Sequence, residues 1–348
     1  MIDSVNVSVE QHTLPREASI REALRRLNML PGSRMTLFVT DSEGRALGSL
    51  TDGDIRRALL RGVDTGASCA EAMHSGFRRL GEGDDLFEGV ARLRPSGINP
   101  VPVVDKEGRI VRIIDLSRVC AMLPLTAVLM AGGRGERLRP LTLETPKPLL
   151  KIGGKPIIDY NVDALMRNGV EDIFVTVNYL KEQIISHFDE RGDGVRCIAE
   201  QKRTGTFGSL SLVPRPRHEN VLVMNSDLLT NISFEAMYRR HVETCAALTM
   251  AVVPYNVSVP FAIIDTEGDA VTGLREKPVY NYFANAGVYM LRSELLSRIA
   301  PDSYLDAPDF IEQLIADGLK VSYFPIDGTW IDIGSPEDFA RAQQHAAF

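Results

Sequence analysis

The sequence predicts an α/β protein in which a mixed, mainly parallel sheet follows a smaller α+β module. From residue 125 onward, apolar strand segments alternate with amphipathic helix segments, a pattern typical of parallel sheets covered by helices. The first 120 residues instead contain an internal repeat that the rest of the chain lacks. At 348 residues the chain also exceeds the usual size of one hydrophobic core, so two domains are expected.

Each copy of the repeat reads as helix, strand, polar turn with glycine, strand and short helix. The two strand pairs are predicted within residues 37–50 and 101–114. Amphipathic helices are predicted ahead of them at 20–27 and 86–93, and short helices behind them at 54–61 and 116–122. The N-terminal module is therefore expected at residues 1–122, with repeats at about 8–63 and 67–122.

The second domain is expected at residues 125–348. Its first half contains strand patterns at 126–130, 172–178, 195–200 and 221–224, with helix patterns at 157–168 and 181–188. In a parallel sheet of this kind, ligands bind at the edge where the strands end.

Composition limits the classes of partner. The formal net charge of −7 argues against a nucleic-acid partner, because such domains usually carry a basic surface. The four cysteines lie far apart without a Cys-x-x-Cys pair, which predicts neither a zinc site nor a disulfide framework. No signal-peptide pattern and no membrane-spanning run is found, so a cytoplasmic protein is expected.

The most informative segment follows the strand at 126–130. Three glycines, Gly132, Gly133 and Gly135, stand where backbone amides can turn toward a phosphate. Arg137 and Lys147 follow and can neutralise the charge of a departing pyrophosphate.

Three other interpretations of this glycine-rich segment compete with phosphate binding by a nucleoside triphosphate site. A dinucleotide-binding loop fails because Leu138 stands where its third glycine is needed. A P-loop fails because no Gly-Lys-Ser/Thr follows the turn. For the turn taken alone, the interpretation as an ordinary loop with surface arginines remains open.

The full pattern, Gly-Gly-x-Gly-x-Arg-Leu-x-Pro-Leu-Thr from Gly132 and then Pro146-Lys-Pro148, resembles nucleotidyltransferases that join a sugar 1-phosphate to a nucleoside triphosphate. The resemblance covers residue 125 to the C-terminus and implies a Rossmann-like fold. Further segments match in the family's order: Thr204-Gly-Thr206, Asn225-Ser-Asp227, Glu276-Lys-Pro278, Asn285-Ala-Gly287 and Trp330-Ile-Asp-Ile-Gly-Ser-Pro336.

The resemblance implies a role for each matching residue. It implies Mg²⁺ on Asp227 and Asp332, and catalysis by the cations Arg137 and Lys147. The nucleotide would be bound by Met130, Ala131, Gly132, Gly133, Gly135, Glu200, Gly205 and Thr206. The sugar phosphate would be bound by Glu276, Lys277, Asn285 and Gly287. One departure is Phe261-Ala262, where the family usually has an aromatic residue followed by glycine.

The N-terminal repeat resembles a tandem pair of cystathionine β-synthase-type (CBS) regulatory domains. Gly48, Thr51 and Asp54 match that family's Gly-x-x-Thr-x-x-Asp pattern, which implies a purine nucleotide ligand. The second copy departs from the pattern, with Arg112, Asp115 and Arg118 at the corresponding places. The alternative is that Thr51 only caps the helix beginning near Asp54.

This domain arrangement is similar to bacterial enzymes that activate sugars for surface glycans. GTP and either glucosamine 1-phosphate or mannose 1-phosphate are the expected substrates. The alternatives are a uridylyl- or thymidylyltransferase, or a catalytically silent nucleotide-sensing protein. A homo-oligomer is expected because members of both families commonly associate.

Overall fold

The computed structural model describes residues 6–31 and 35–345. The chain divides into two compact units, residues 1–124 with 164–171, and residues 125–163 with 172–348. No helix within the described residues is long and apolar enough to cross a membrane.

The first unit contains two three-stranded sheets of the same topology, in agreement with the predicted repeat. In each sheet the first strand pairs in parallel with the second, and the second pairs antiparallel with the third. The strands are β1 (Thr13–Pro15), β2 (Thr36–Thr40), β3 (Ala46–Thr51), β4 (Leu80–Gly81), β5 (Val101–Val104) and β6 (Ile110–Ile114). The helices are α1 (Val9–His12), α2 (Ile20–Met29), α3 (Asp52–Leu60) and α4 (Leu86–Leu93).

Local sequence explains where these helices begin. Ser19, Thr51 and Asp85 are the N-caps of α2, α3 and α4, and each side chain accepts a hydrogen bond from a backbone amide in the first turn. The buried residues of α2 recur at helical spacing, so that one face packs on the core: Ile20, Ala23 and Leu27.

The helix predicted at 116–122 is wrong, since this segment forms turns and irregular structure. Its apolar residues have helical spacing, but two backbone amides at its end are used elsewhere. The amide of Cys120 donates to the carbonyl of Arg167, and that of Leu123 donates to the carbonyl of Asn168, 2.9 Å away. Because these donors bond to a distant segment, the chain does not form the successive bonds of a helix.

The second unit is built on a seven-stranded sheet of order β11-β10-β7-β12-β17-β14-β18. Strand β17 is antiparallel to both of its neighbours, and the other adjacent pairs are parallel. The predicted mixed, mainly parallel sheet is therefore confirmed. The seven strands are β7 (Leu125–Ala131), β10 (Asp172–Val177), β11 (Arg196–Ala199), β12 (Asn220–Asn225), β14 (Leu248–Ser258), β17 (Val279–Arg292) and β18 (Val321–Pro325).

Helices and separate short strand pairs accompany this sheet. The helices are α5 (Ile157–Arg167), α6 (Lys181–Arg191), α7 (Gly205–Gly208), α8 (Phe234–Glu243), α9 (Ala307–Ala316) and α10 (Pro336–Gln344). The short antiparallel pairs are β8 (Lys151–Ile152) with β9 (Lys155–Pro156), β13 (Leu228–Thr230) with β19 (Trp330–Asp332), and β15 (Ile263–Glu267) with β16 (Ala270–Arg275). The β13–β19 pair sets Asp332 opposite Leu228, the residue after Asp227.

Candidate active site

The glycine-rich loop begins where β7 ends, and two of its glycines are required by packing. A Cβ atom on Gly132 would lie 2.6 Å from Oε1 of Glu200. Gly135 has a left-handed backbone (φ 61°), and a Cβ there would lie 2.9 Å from Cγ2 of Thr142. Gly133 has no protein atom within 4 Å of the same position. The loop is thus held closely on two sides and open at Gly133.

Two adjoining cavities meet at this loop. One, of about 230 Å³, is lined by Met130, Ala131, Gly132, Gly133, Lys147, Pro148, Thr176, Glu200, Arg203, Gly205, Thr206, Ser209, Asn225, Ser226, Asp227 and Asp306. The other, of about 360 Å³, is lined by residues 132–138 with Lys147, Asn178, Arg203, Asp227 and Gly334. All eight residues predicted to bind the nucleotide therefore line one cavity or the other, as do Arg137, Lys147 and Asp227.

Lys147 is the centre of a charged cluster between the cavities. It is buried, its ammonium group donates to Oδ2 of Asp227, and its Nζ lies 3.8 Å from Oδ1 of Asp332. Burial and the negative charge of Asp227 raise the pKa of Asp332, while Lys147 and Arg137 oppose that shift. The three groups come from segments up to 185 residues apart in the sequence, and they meet at one edge of the sheet.

The cluster fits a magnesium ion. Oδ1 of Asp227 is buried without a hydrogen-bond partner, so it has a free acceptor position. Asp332 supplies a second carboxylate nearby. Among the described residues no group of three or more His, Cys, Asp or Glu side chains forms a metal site. Two carboxylates are nevertheless compatible with Mg²⁺, which commonly completes its octahedron with water and substrate phosphate.

Arg137 lies close to the Trp330–Pro336 segment. Its guanidinium Nη2 would lie 2.9 Å from a Cβ atom on Gly334, so glycine at that position leaves room for the arginine. Trp330 anchors the same segment by donating from Nε1 to the carbonyl of Ala286, 2.9 Å away. Two of the sequence segments that match the family are thereby joined to each other.

Glu200 forms one wall of the smaller cavity. Its Oε2 accepts from the hydroxyl of Thr204 at 2.9 Å and from the Thr204 amide at 3.4 Å. Burial raises the pKa of Glu200, and the Thr204 hydrogen bonds and the charge of Arg203 act in the opposite direction. When ionised, this side chain can only accept hydrogen bonds, which limits the ligand groups that it can bind.

Gly205 and Thr206 line the cavity but also have structural partners. Gly205 has φ 81°, and a Cβ there would lie 2.6 Å from the carbonyl oxygen of Leu305. The Thr206 hydroxyl accepts from the amide of Ala307 at 2.8 Å, and its own amide donates to Asp306. Glycine at 205 is therefore required by the protein's own backbone. This requirement does not depend on a ligand.

The predicted sugar-phosphate residues line neither of these two cavities. Glu276 and Lys277 are exposed between β16 and β17. Asn285 bonds to the amide of Gly287 and to the hydroxyl of Tyr289. Gly287 comes nearest to the cavities, because a Cβ there would lie 2.5 Å from Nδ2 of Asn225, which lines the smaller one. The roles of these four residues remain predictions.

Sequence reasoning missed two residues of the site. Arg203 lines both cavities, and its only sequence signal is a cation beside Thr204-Gly-Thr206. Asn161 is buried in α5 and donates from Nδ2 to the carbonyl of Leu228 at 2.9 Å, which supports the turn that carries Asp227. A polar residue within the apolar pattern of that helix was the available signal.

The predicted regulatory residues have local structural roles in the first unit. The Thr51 side chain accepts from the Asp54 amide, and the Asp54 carboxylate accepts from the Thr51 amide, so Thr51 caps α3. Burial opposes ionisation of Asp54, but hydrogen bonds from Thr51 and Arg57 lower its pKa overall. A Cβ on Gly48 would lie 2.9 Å from Sδ of Met73, so glycine permits close packing there.

Comparisons with known proteins identify the family of each part of the chain. Residues 126–347 match the nucleotidyl transferase family model, and residues 6–61 match the CBS domain model. A D-glycero-alpha-D-manno-heptose 1-phosphate guanylyltransferase of Aneurinibacillus thermoaerophilus is 29% identical over 225 residues, covering 63% of this chain and 97% of that protein. A mannose-1-phosphate guanyltransferase of Debaryomyces hansenii is 29% identical over 231 residues and 62% of each chain.

A solved structure of a Bacillus anthracis protein, called a "Putative Glucose-1-Phosphate Thymidylyltransferase", matches with a TM-score of 0.50 and 22% identity. The match covers 64% of this chain and 95% of the other, and at that identity it supports the fold alone. Because the family model covers more than half of the sequence, the chain belongs to the nucleotidyl transferase family.

Proposed function

We propose that this chain transfers a nucleotidyl group from a nucleoside triphosphate to a sugar 1-phosphate, with release of pyrophosphate. The observation that carries the proposal is the Lys147–Asp227–Asp332 cluster, because Lys147 and Asp227 line both cavities at the glycine-rich loop. Cations and carboxylates arranged around a phosphate-sized loop suit phosphoryl chemistry, in which positioning and charge neutralisation dominate.

In the reaction, an oxygen of the sugar phosphate attacks the α-phosphorus of the triphosphate in line with the departing pyrophosphate. The bond between the α-phosphorus and the oxygen bridging to the β-phosphorus breaks, and that oxygen leaves with pyrophosphate. The attacking phosphate is already ionised near neutral pH, so no general base is required. Mg²⁺ held by Asp227 and Asp332 would supply positive charge to the phosphate oxygens.

The protein's own groups hold the triphosphate. Gly132 and Gly133 line both cavities, where their amides can donate to phosphate oxygens. Arg137 lies at the larger cavity, where it can neutralise the β- and γ-phosphates as charge moves onto them. Lys147 lies at the junction, beside the position expected for the α-phosphate.

We further propose GTP as the nucleotide. Guanine presents two neighbouring donors, N1–H and the 2-amino group, which an acceptor-only carboxylate such as Glu200 can bind together. Uracil and thymine present one donor between two carbonyl oxygens, and a carboxylate repels those oxygens. The two relatives are named for guanylyl transfer, and their sugars support a manno-configured 1-phosphate. Either mannose 1-phosphate or glucosamine 1-phosphate is the sugar substrate that we expect, for the synthesis of a surface glycan.

A uridylyl- or thymidylyltransferase would use the same machinery, and the name of the Bacillus anthracis neighbour favours testing it. A silent nucleotide-sensing protein is the other alternative. The presence of Arg137, Lys147, Asp227, Lys277 and Asp332 together argues against that alternative.

The test is pyrophosphate release with Mg²⁺, measured for the four common nucleoside triphosphates against a panel of sugar 1-phosphates. We expect release that requires both substrates, is greatest with GTP, and is lost in Asp227→Asn. In Glu200→Gln the preference should move toward UTP or dTTP, since an amide offers both a donor and an acceptor. Faster turnover of wild type with UTP or dTTP would overturn the guanylyl assignment. No release from any pair would favour the sensing role.

We also propose that a purine nucleotide binds the first unit at Gly48, Thr51 and Asp54 and changes turnover. The match to the CBS domain model supports this proposal. Asp54→Ala should abolish any response to added AMP or ATP. The matched control is Asp52→Ala, which changes a more exposed carboxylate two residues earlier in the same helix and should preserve the response. A response that survives Asp54→Ala would place the ligand elsewhere.

A further inference from the structure

Arg203 is a cation of the site that the protein itself leaves unpaired. It lines both cavities, on the segment between Glu200 and Gly205. Within the described residues its guanidinium forms no ion pair and no hydrogen bond, although acidic side chains line the smaller cavity. An arginine stays charged at any physiological pH and presents its donors in a fixed plane. The donors of Arg203 are therefore available to a ligand.

The backbone at this position is fixed relative to Glu200. The hydroxyl of Thr204, the next residue, donates to Oε2 of Glu200 at 2.9 Å. The carbonyl of Thr204 accepts from the amide of Leu305, also at 2.9 Å. Thr204 is buried, so this short segment packs against the protein while Arg203 remains exposed. The arginine side chain thus extends from a defined point close to Glu200.

The charge of Arg203 acts on two carboxylates that line the smaller cavity. Burial raises the pKa of Glu200, and hydrogen bonds from Thr204 and the charge of Arg203 oppose this shift. Burial also opposes ionisation of Asp306, but hydrogen bonds and the charge of Arg203 lower its pKa overall. The guanidinium therefore lies near the Glu200 side of the smaller cavity.

Other cations serve the metal end of the site. Burial and the charge of Asp227 raise the pKa of Asp332, and the cations that oppose this shift are Lys147 and Arg137. These are the two side chains that we place on the triphosphate. Arg203 is thus left for the end of the site where Glu200 would bind the base.

We propose that Arg203 binds the edge of guanine that carries O6 and N7. This inference rests on the proposed guanylyl transfer, in which Glu200 accepts from N1–H and the 2-amino group. O6 is the group next to N1–H, and both O6 and N7 are hydrogen-bond acceptors. Arginine donates to this pair of atoms through two parallel bonds, which is the commonest base-specific contact of proteins with guanine in DNA. The carboxylate and the guanidinium, three residues apart, would read adjacent parts of one base.

The same pair of side chains predicts rejection of adenine. Adenine carries an amino donor where guanine has O6, and its N1 is an acceptor where guanine has N1–H. The amino group would meet the donors of Arg203, and N1 would meet the carboxylate of Glu200. Specificity of this kind comes from repulsive contacts with the wrong ligand as well as from attractive contacts with the right one.

The test is calorimetric titration of the full chain with GTP analogues and Mg²⁺. The chain carries Asp54→Ala, so that the proposed regulatory site is not titrated, and is here called the parent chain. In 7-deaza-GTP a carbon replaces N7, so this analogue should bind the parent chain about 10-fold more weakly than GTP. Adding Arg203→Ala should weaken GTP binding by at least that factor and abolish the difference between the two nucleotides. The matched control, Lys202→Ala, removes a neighbouring exposed cation that lines neither cavity and should keep the difference.

A second analogue separates this inference from the guanylyl assignment. ITP lacks the 2-amino group, so it should bind more weakly than GTP both in the parent chain and with Arg203→Ala, because Glu200 is intact in both. A parent chain that binds UTP or dTTP more tightly than GTP would overturn the guanylyl assignment itself. A parent chain that prefers GTP to UTP and ITP but binds 7-deaza-GTP equally well would overturn the role of Arg203 alone.

Tripolyphosphate, which has no base, tests a phosphate-binding role for the same side chain. If Arg203→Ala weakened tripolyphosphate, GTP and 7-deaza-GTP by one common factor, Arg203 would be a ligand of the phosphates and the inference would be wrong. It would be equally wrong if the variant still preferred GTP to 7-deaza-GTP, because another group would then contact N7. Arg203 is exposed, so the variant should keep the Tm of the parent chain, which shows that it is folded.

Discussion

Gly132→Ala tests the packing of the glycine-rich loop against Glu200. The added Cβ would lie 2.6 Å from Oε1 of Glu200 and 3.3 Å from Cβ of Asn178. Ordinary contact begins near 3.4 Å, so one of these groups must move by about 0.8 Å. Glu200 cannot move freely, because it is buried and accepts two hydrogen bonds from Thr204. Overpacking of this kind costs about 2 kcal/mol, or about 6 °C in Tm for a domain of this size.

The same displacement should reduce catalysis. The loop and Glu200 line one cavity, and a shift approaching 1 Å in a catalytic arrangement can cost about 100-fold in rate. We expect kcat/KM to fall by about that factor, measured by pyrophosphate release, with a Tm decrease measured by calorimetry.

Gly133→Ala is the matched control. It adds the same methyl group one residue later, where no protein atom lies within 4 Å. Its Tm should equal that of wild type. If Gly132→Ala were as stable and as active as wild type, the loop would not pack against Glu200 as described.

Three further outcomes are expected. Asp332→Asn should lower turnover by at least about 100-fold and raise the Mg²⁺ concentration needed for half-maximal rate, because it removes one carboxylate from the cluster; an unchanged Mg²⁺ dependence would argue against a metal there. Thr51→Ala should destabilise α3 by about 1 kcal/mol through loss of its N-cap, seen as faster exchange of the first-turn amides. Burial, with a smaller contribution from Arg292, lowers the pKa of His241 from 6.5 to about 4. Between these values the unfolded chain binds the proton more readily, so the free energy of unfolding should fall as pH decreases from about 6.5 to about 4, by about 3 kcal/mol in total. Denaturant titrations at several pH values measure this fall, and His241→Gln should remove it; an equal pH dependence in that variant would assign the effect to other groups.

The sequence alone was sufficient to predict those elements whose structure depends on residues nearby in the chain. The helix at 86–93 and the strands within 101–114 form as predicted, because their hydrophobic periodicity and turn residues act locally. The glycine-rich loop, with Arg137 five residues after Gly132, is also local, so its place at the end of a strand could be deduced from the order of residues.

The tertiary structure decided which distant groups meet. Asp227 and Asp332 are separated by 105 residues, and the pairing of β13 with β19 brings them together around Lys147. The requirement for glycine at 205 comes from the carbonyl of Leu305, a hundred residues later. The segment 116–122 has a helical pattern but bonds to residues 167 and 168 instead. Sequence patterns report what a segment prefers by itself, whereas hydrogen bonds, packing contacts and charge pairs depend on a partner that only the folded chain supplies.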